Sequence, residues 1–249
     1  MGEKQLFTVK DKVIAVTGGS SGLGLRMVKV LAEHGARVAS IARSHDHVDA
    51  SYQDRDVLQI TGDVTSSQDI SAAFDQIEQT LGPLSVVFNN AGVAHKARVL
   101  DTTPEMFDHM FAVNVAGAFF VAREAARRMI AQGRGGAIIN TTSILGERPQ
   151  KGAAVYSMTK ACVTQMTRAL ALEFAAHDIR VNALSPGWFP TGINEAELAG
   201  PAGSFLKGCN PMRRLGDLSD IDGAVLLLAS DASRYMTGSI ITIDGGHQL

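Results

Sequence analysis

The chain has only two cysteines, Cys162 and Cys209. Neither falls at a metal-ligand spacing, so no metal site is expected, and such low cysteine usage fits a reducing cytoplasm. No apolar run approaches the roughly 18 residues that a membrane span needs. The segment Met1-Gly2-Glu3-Lys4-Gln5-Leu6 carries charges where a signal peptide needs an apolar core, and Leu6 stands where a myristoylation signal needs Ser or Thr. Lysine and arginine number 23 against 25 acids, intermixed without long runs, for a formal net charge of −2. Nucleic acid and anionic membranes are therefore poor partners, and small or neutral ones are favoured. Internal repeats, low-complexity tracts and any mark of a domain boundary are missing too.

What is there is 249 residues, 45% of them hydrophobic, enough for one large α/β core. Val13 to Val16 is a short apolar run that meets Thr17-Gly18-Gly19-Ser20-Ser21-Gly22-Leu23-Gly24 and then a helical pattern from Leu25 to His34. Strand, glycine-rich turn and helix together make a place to hold phosphate, the turn bringing backbone N–H groups to the anion and the helix N-terminus adding about half a positive charge; the alternative is a plain tight loop. Arg37 to Ile41 is the next strand, followed by Ala42-Arg43-Ser44. In dinucleotide-binding units an acid at this strand's end accepts hydrogen bonds from the adenosine ribose. Here Ala42 removes the carboxylate and Arg43 offers a fork to a 2′-phosphate, which favours NADP(H) while leaving NAD(H) possible. The alternative for Arg43 is a solvated loop cation.

A third strand, Val57 to Ile60, leads to Asp63 and Val64, where Asp63 either receives an adenine amino group or caps the next helix. The fourth, Leu84 to Phe88, runs into Asn89-Asn90-Ala91-Gly92, whose small residues allow close backbone approach to a ligand. His95, just beyond, reads as a surface residue. Pro104 to Met129 reads as one helix with Asn114 in an apolar stretch; its amide is either a satisfied structural group or the holder of a water near Lys160. Gly135 to Asn140 gives a fifth strand, with Ser143 past its carboxyl end, where open α/β sheets bind ligands. The long helix over residues 153–176 carries Tyr156 and Lys160 one turn apart on one face. A cation ~5 Å from a phenol, at an effective dielectric of ~20, favours the phenolate by roughly 3 kcal/mol, or about two pKa units. Tyr156 is then poised for general acid/base work. This helix and the alanine-rich one before it are apolar or small on more than one face, which points to a helix-on-helix subunit interface. Val181 to Leu184 is a sixth strand, closed by Ser185-Pro186-Gly187. Residues 188–210, rich in proline and glycine, read as an irregular, mobile lid over substrate. Ala224 to Leu228 is helical, and Ser239 to Ile243 is the last strand.

From about Val9 to Gly246 these residues resemble the short-chain dehydrogenase/reductase family in its compact single-domain branch. The resemblance rests on the turn Thr17 to Gly24, Asn89-Asn90-Ala91-Gly92, the set Asn114, Ser143, Tyr156 and Lys160, Pro186-Gly187 with Thr191, and Thr237-Gly238 with Asp244-Gly245-Gly246. Thr159 stands where many members have Ser, a change that touches no assigned role. The resemblance implies one Rossmann-fold domain over residues 1–249, a doubly wound parallel sheet of seven strands with helices on both faces. It implies that Asn114, Ser143, Tyr156 and Lys160 are catalytic. Gly18, Ser20, Ser21, Gly22, Leu23, Gly24, Arg43, Asp63, Val64, Asn90, Ala91, Gly92, Tyr156, Lys160, Pro186, Gly187 and Thr191 would hold the cofactor. Ser143, Leu145, Tyr156, Trp188 and Phe189 would meet substrate, with Ile144 and Phe205 as further apolar wall. The implied activity is hydride transfer between a nicotinamide and a ketone or secondary alcohol, in a homotetramer or homodimer. Arg148 and Lys151 near the same mouth leave room for an acidic group or for a carrier delivering a 3-oxoacyl thioester. A dinucleotide-binding sensor without turnover is the reading from another class; intact Ser143, Tyr156 and Lys160 argue against it.

Overall fold

The run Val-Ile-Ala-Val-Thr at Val13–Thr17 (β1) is buried at every position, and a strand covered on both faces belongs in a parallel sheet flanked by helices. The computed structural model describes residues 6–45, 57–192 and 194–249 and contains that sheet. Its other strands are Arg37–Ala42 (β2), Leu58–Thr61 (β3), Val86–Asn89 (β4), Gly136–Thr141 (β5), Ile179–Pro186 (β6) and Ile240–Ile243 (β7). They lie in the order β3-β2-β1-β4-β5-β6-β7, every pair parallel. The order reverses between β1 and β4, and the crevice beyond the strand carboxyl ends at such a switch point is where ligands bind in open α/β sheets.

Helices Gly22–Glu33 (α1), Ser67–Thr80 (α2), Pro104–Phe111 (α3), Ala118–Gln132 (α4), Ala154–Phe174 (α5), Glu195–Leu198 (α6), Pro201–Cys209 (α7) and Asp222–Ala229 (α8) complete the chain. The two-residue period of the strands divides the core. Val13 and Ala15 of β1 pack with Phe74 and Ile77 of α2, Val121 and Met129 of α4, and Leu170 of α5. Ile14 and Val16 turn the other way, to Met27 and Leu31 of α1 and Val225 and Leu228 of α8. Outside the apolar layers, the buried Arg128 of α4 pairs with Asp75 and Glu78 of α2 and with Glu124 of its own helix, tying α2 to α4.

Two stretches differ from the sequence expectation. The helix expected to run unbroken from Pro104 to Met129 contains a π-helical turn, Ala112–Gly117, and Asn114 sits in it. Such turns are rare and concentrate at functional sites, because widening the ladder re-aims one side chain. The segment 188–210, expected to be irregular, holds α6 and α7. Pro201 stands at the start of α7, where a missing N–H costs nothing, and the buried Leu198 and Leu206 anchor the pair. Among the described residues no helix is long and apolar enough to cross a membrane.

Candidate active site

The turn between β1 and α1 is shaped by its glycines. Gly18 and Gly22 have φ of +66° and +52°, in the region that disfavours side chains. A Cβ on Gly24 would stand 2.1 Å from the Gly18 carbonyl, so α1 packs against the turn only with glycine there. Thr17 and Asn90 lace this turn to the end of β4. The Thr17 hydroxyl accepts from the backbone N–H groups of Asn90 and Ala91 at 3.0 and 3.1 Å, and the Asn90 amide donates to the carbonyls of Thr17 and Gly18 at 3.1 and 3.4 Å. At the N-terminus of α1, the Ser21 side chain makes no capping hydrogen bond and the first turn holds no acid. Its partial positive charge is left for an anionic ligand.

Beyond the strand carboxyl ends lies a cleft of about 510 Å³, within the ~300–1,000 Å³ usual for small-molecule sites. Gly18, Ser20, Ser21, Gly22, Leu23 and Gly24 line one end, with Arg43, Asp63 and Val64 beside them. Asn90, Ala91 and Gly92 line its middle, and Ser143, Tyr156, Lys160, Pro186, Gly187, Phe189 and Thr191 its other end. Every residue expected to hold the cofactor therefore faces one space. The site fits a dinucleotide on its own geometry, with a glycine cradle that a Cβ would fill and an uncapped helix end at the phosphate position. At the end of β2 the lining runs Ala42, Arg43, Ser44, without a carboxylate; residues 46–56 fall outside the described set. Asp63 is not the helix cap. Its carboxylate accepts from the Thr65 N–H and hydroxyl, both at 2.8 Å, while Ser66 caps α2.

Leu145 and Trp188 stand outside the lining of this cleft. The Leu145 N–H instead donates to the Ser143 hydroxyl at 3.2 Å. Phe205, 70% exposed on α7, and the buried Ile144 also stand outside that lining.

Lys160 reaches the floor of the cleft from α5, 5% exposed, and its ammonium donates to the Thr141 carbonyl at the end of β5 at 2.8 Å. The same nitrogen lies 5.7 Å from the Tyr156 ring centroid, so helical spacing does bring the two together. The expected consequence for the phenol does not follow. Burial pushes the Tyr156 pKa up, opposed by the Ser143 hydrogen bond, and burial pulls the Lys160 ammonium down to about 8. Proximity was legible in the sequence; the desolvation that outweighs it was not.

Asn114 is buried under the same floor, with all its groups engaged. Its carbonyl oxygen accepts from the Val93 N–H and its amide donates to the Val93 carbonyl, both at 2.8 Å, and to the Thr159 hydroxyl at 3.1 Å. Thr159 is fully buried and donates to the Tyr156 carbonyl at 2.7 Å. The residue to which sequence reasoning gave no role thus joins Asn114 to the helix that carries Tyr156. Thr17, Thr141 and Asn194 were also passed over. The first holds the turn, the second supplies the carbonyl for Lys160, and the third lines the cleft and accepts from the Thr191 N–H at 2.9 Å. Only Thr17 had a signal, its place directly before the glycine turn.

Residues 18–248 match the family described as Enoyl-(Acyl carrier protein) reductase. A galactitol 2-dehydrogenase (L-tagatose-forming) from Cereibacter sphaeroides is 37% identical over 100% of both chains. Among solved structures, a short-chain type dehydrogenase/reductase from Mycobacterium marinum superposes with a TM-score of 0.93 at 36% identity, covering 97% of each chain. A gluconate 5-dehydrogenase from Burkholderia cenocepacia in complex with NADP and tartrate gives 0.91 at 31% identity, again over 97% of each. The chain belongs to the short-chain dehydrogenase/reductase family, whose members named here are oxidoreductases acting on alcohols and sugar derivatives.

A buried ammonium with no carboxylate beside it among the described residues burdens the fold. Because the folded pKa of Lys160, about 8, lies below the usual 10.5, the unfolded chain binds the extra proton and the penalty is fully present below pH 8. Lys160→Met should raise the unfolding free energy at pH 7 by ~1–3 kcal/mol, a gain that fades as pH climbs from 8 towards 10.5. Urea titrations at pH 7 and pH 10 measure it. A variant less stable than the parent at pH 7 would show that the charge is not the burden described.

Proposed function

We propose that the chain interconverts a ketone and a secondary alcohol with a nicotinamide cofactor, Tyr156 carrying the proton. The observation that supports this most directly is the convergence of Ser143, Tyr156 and Lys160 at one end of a cleft whose other end is a glycine turn on a helix N-terminus. Bound there, the cofactor supplies or accepts the hydride. As negative charge grows on the substrate oxygen, two hydroxyls answer it. The Ser143 oxygen accepts the Leu145 N–H, and its hydrogen, which otherwise serves the Tyr156 oxygen, turns to the substrate oxygen. The Tyr156 phenol, held protonated by burial, gives up its proton to the same atom. Lys160 is charged below pH 8 and stabilises the phenolate that results. Asn114, with Thr159, fixes the height of α5 against the loop after β4.

The dinucleotide would be held over a single domain spanning residues 1–249, with residues 188–210 covering substrate. NADP(H) is favoured over NAD(H) because Arg43 and not an acid lines the cleft after β2. Subunits would pair through α4 and α5, whose outer faces leave Phe119, Phe120 and Met158 about 40–50% exposed and Leu172 84% exposed. A cytoplasmic location suits the two exposed free thiols, Cys162 and Cys209.

Three measurements bear on this. Tyr156→Phe should lower kcat on ketones by ~10²–10⁴ while NADPH affinity changes by less than about threefold; unchanged turnover would remove the assigned acid. Arg43→Ala should weaken NADPH by about 1.5–3 kcal/mol and NADH far less, read by fluorescence titration, and equal losses for both would refute the phosphate role. Sedimentation at micromolar concentration should give a dimer or tetramer; a monomer there would leave the exposed faces of α4 and α5 without their proposed partner.

A further inference from the structure

Asn194 lines the cleft from the segment that follows β6. Its side chain is oriented by Thr191. The Asn194 carbonyl oxygen accepts from the Thr191 N–H at 2.9 Å and from the Thr191 hydroxyl at 3.3 Å, while the Asn194 backbone N–H donates to the Thr191 carbonyl at 2.9 Å. A backbone N–H can be met only by an acceptor, so these bonds decide which end of the amide is oxygen and which is nitrogen. The nitrogen is the free end. Neither of its two hydrogens has a protein partner among the described residues, and the side chain is only half-buried, so a ligand in the cleft can reach it.

The turn that holds Asn194 lies against the phosphate end of the cleft. A Cβ on Gly22 would stand 3.2 Å from both Cβ and Cγ2 of Thr191, so the loop after β6 reaches across to the glycine turn. Gly22 is also the first residue of α1, whose N-terminus has no side-chain cap. Arg43 and Lys160 are the only cations among the lining residues, one after β2 and the other on α5. The Gly22 end is thus left to neutral donors. Residue type adds a second argument. An aspartate at 194 would offer Thr191 the same oxygen and close the same turn, since the two side chains share that geometry. It would lack the pair of N–H donors and would set a negative charge beside the place where an anion is to bind. Asparagine keeps the turn and presents donors instead.

We propose that Asn194 is a cofactor-binding residue, its amide donating to a pyrophosphate oxygen of the dinucleotide and so acting together with the N-terminus of α1. The inference rests on the reading of the cleft as a dinucleotide site and adds to it a contact from the segment beyond β6. Pyrophosphate is common to NADP(H) and NAD(H), so this contact serves both alike, in contrast to Arg43.

The full-length parent, Asn194→Ser and Asn194→Asp are titrated with NADPH and with NADH in the absence of any carbonyl compound, followed by the emission of the reduced nicotinamide. ADP, which keeps the two phosphates and lacks the nicotinamide half, is then used to displace the bound dinucleotide. Both variants retain an oxygen for the Thr191 N–H, and both lose the amide. NADPH and NADH should each bind about three- to tenfold more weakly to Asn194→Ser and at least about tenfold more weakly to Asn194→Asp, and ADP should weaken by the same factors. Asn194→Ser within about twofold of the parent, whatever Asn194→Asp does, would mean that charge alone is felt and would overturn the contact. A loss for NADPH without NADH would overturn it too, as would weaker dinucleotides with unchanged ADP, which would place the donor on the nicotinamide half. A parent that binds neither dinucleotide removes the reading of the cleft and the contact with it. A parent that binds both beside an unaffected Asn194→Ser keeps the cleft reading and removes the contact alone.

Discussion

Lys160 carries its ammonium into a place 5% exposed and gives its hydrogen bond to a backbone carbonyl, not to an acid. Desolvation then disfavours charge on both members of the pair, lowering the lysine to about 8 and raising the tyrosine. Near neutral pH the resting site therefore holds a neutral phenol beside a cation. That is the protonation state a proton donor needs. The phenolate is opposed by burial and favoured by Lys160 and the Ser143 hydroxyl. An exposed lysine and tyrosine at the same spacing would share a few tenths of a kcal/mol; the dry floor is what gives their interaction chemical weight.

Keeping that floor dry depends on close approach. A Cβ on Gly92 would stand 3.3 Å from the Asn114 oxygen and 3.6 Å from the Lys160 nitrogen, and one on Gly146 would stand 2.9 Å from the Ala161 N and the Lys160 carbonyl carbon. The loop at Gly146 lies against the Lys160 backbone only because it has no side chain there, whereas a Cβ at Gly92 would be a tight fit against Asn114. The same economy holds at the other end, where Gly24 lets α1 rest on the Gly18 carbonyl. Thr17 and Asn90 connect the two ends, since they bind the glycine turn to the strand whose following loop contacts Asn114. A shift at either end is felt at the other through three or four hydrogen bonds within a packed sheet.

Much of this was legible from residue order. Fully apolar short strands and a glycine turn before a helix define the parallel sheet and its ligand edge, because both signals are local. The positions of Tyr156 and Lys160 follow from helical geometry alone. What was not legible depends on groups far apart in the chain. The π-helical turn at Asn114 has no sequence period of its own, and its partner Thr159 lies 45 residues away. The sign of the Tyr156 shift required knowing how much protein covers it. Within 188–210, Pro201 reads as a breaker until a buried Leu206 shows it to be a helix start. His247 and Trp188 are 59 residues apart, and neither has a neighbour that announces the pairing.

Global charge and local charge answer different questions. A net −2 spread evenly describes what the whole surface repels at long range, where salt screens it within roughly a Debye length. Selection at a mouth is decided by the few groups inside that length. Here the loops past the carboxyl edge of the sheet each follow a different strand. Changing one alters no strand pairing and no core contact, so substrate choice can move while the glycine turn, Lys160 and the sheet beneath them stay as they are. For that reason a shared fold, however closely superposed, leaves the choice of substrate to the loops beyond the carboxyl edge of the sheet.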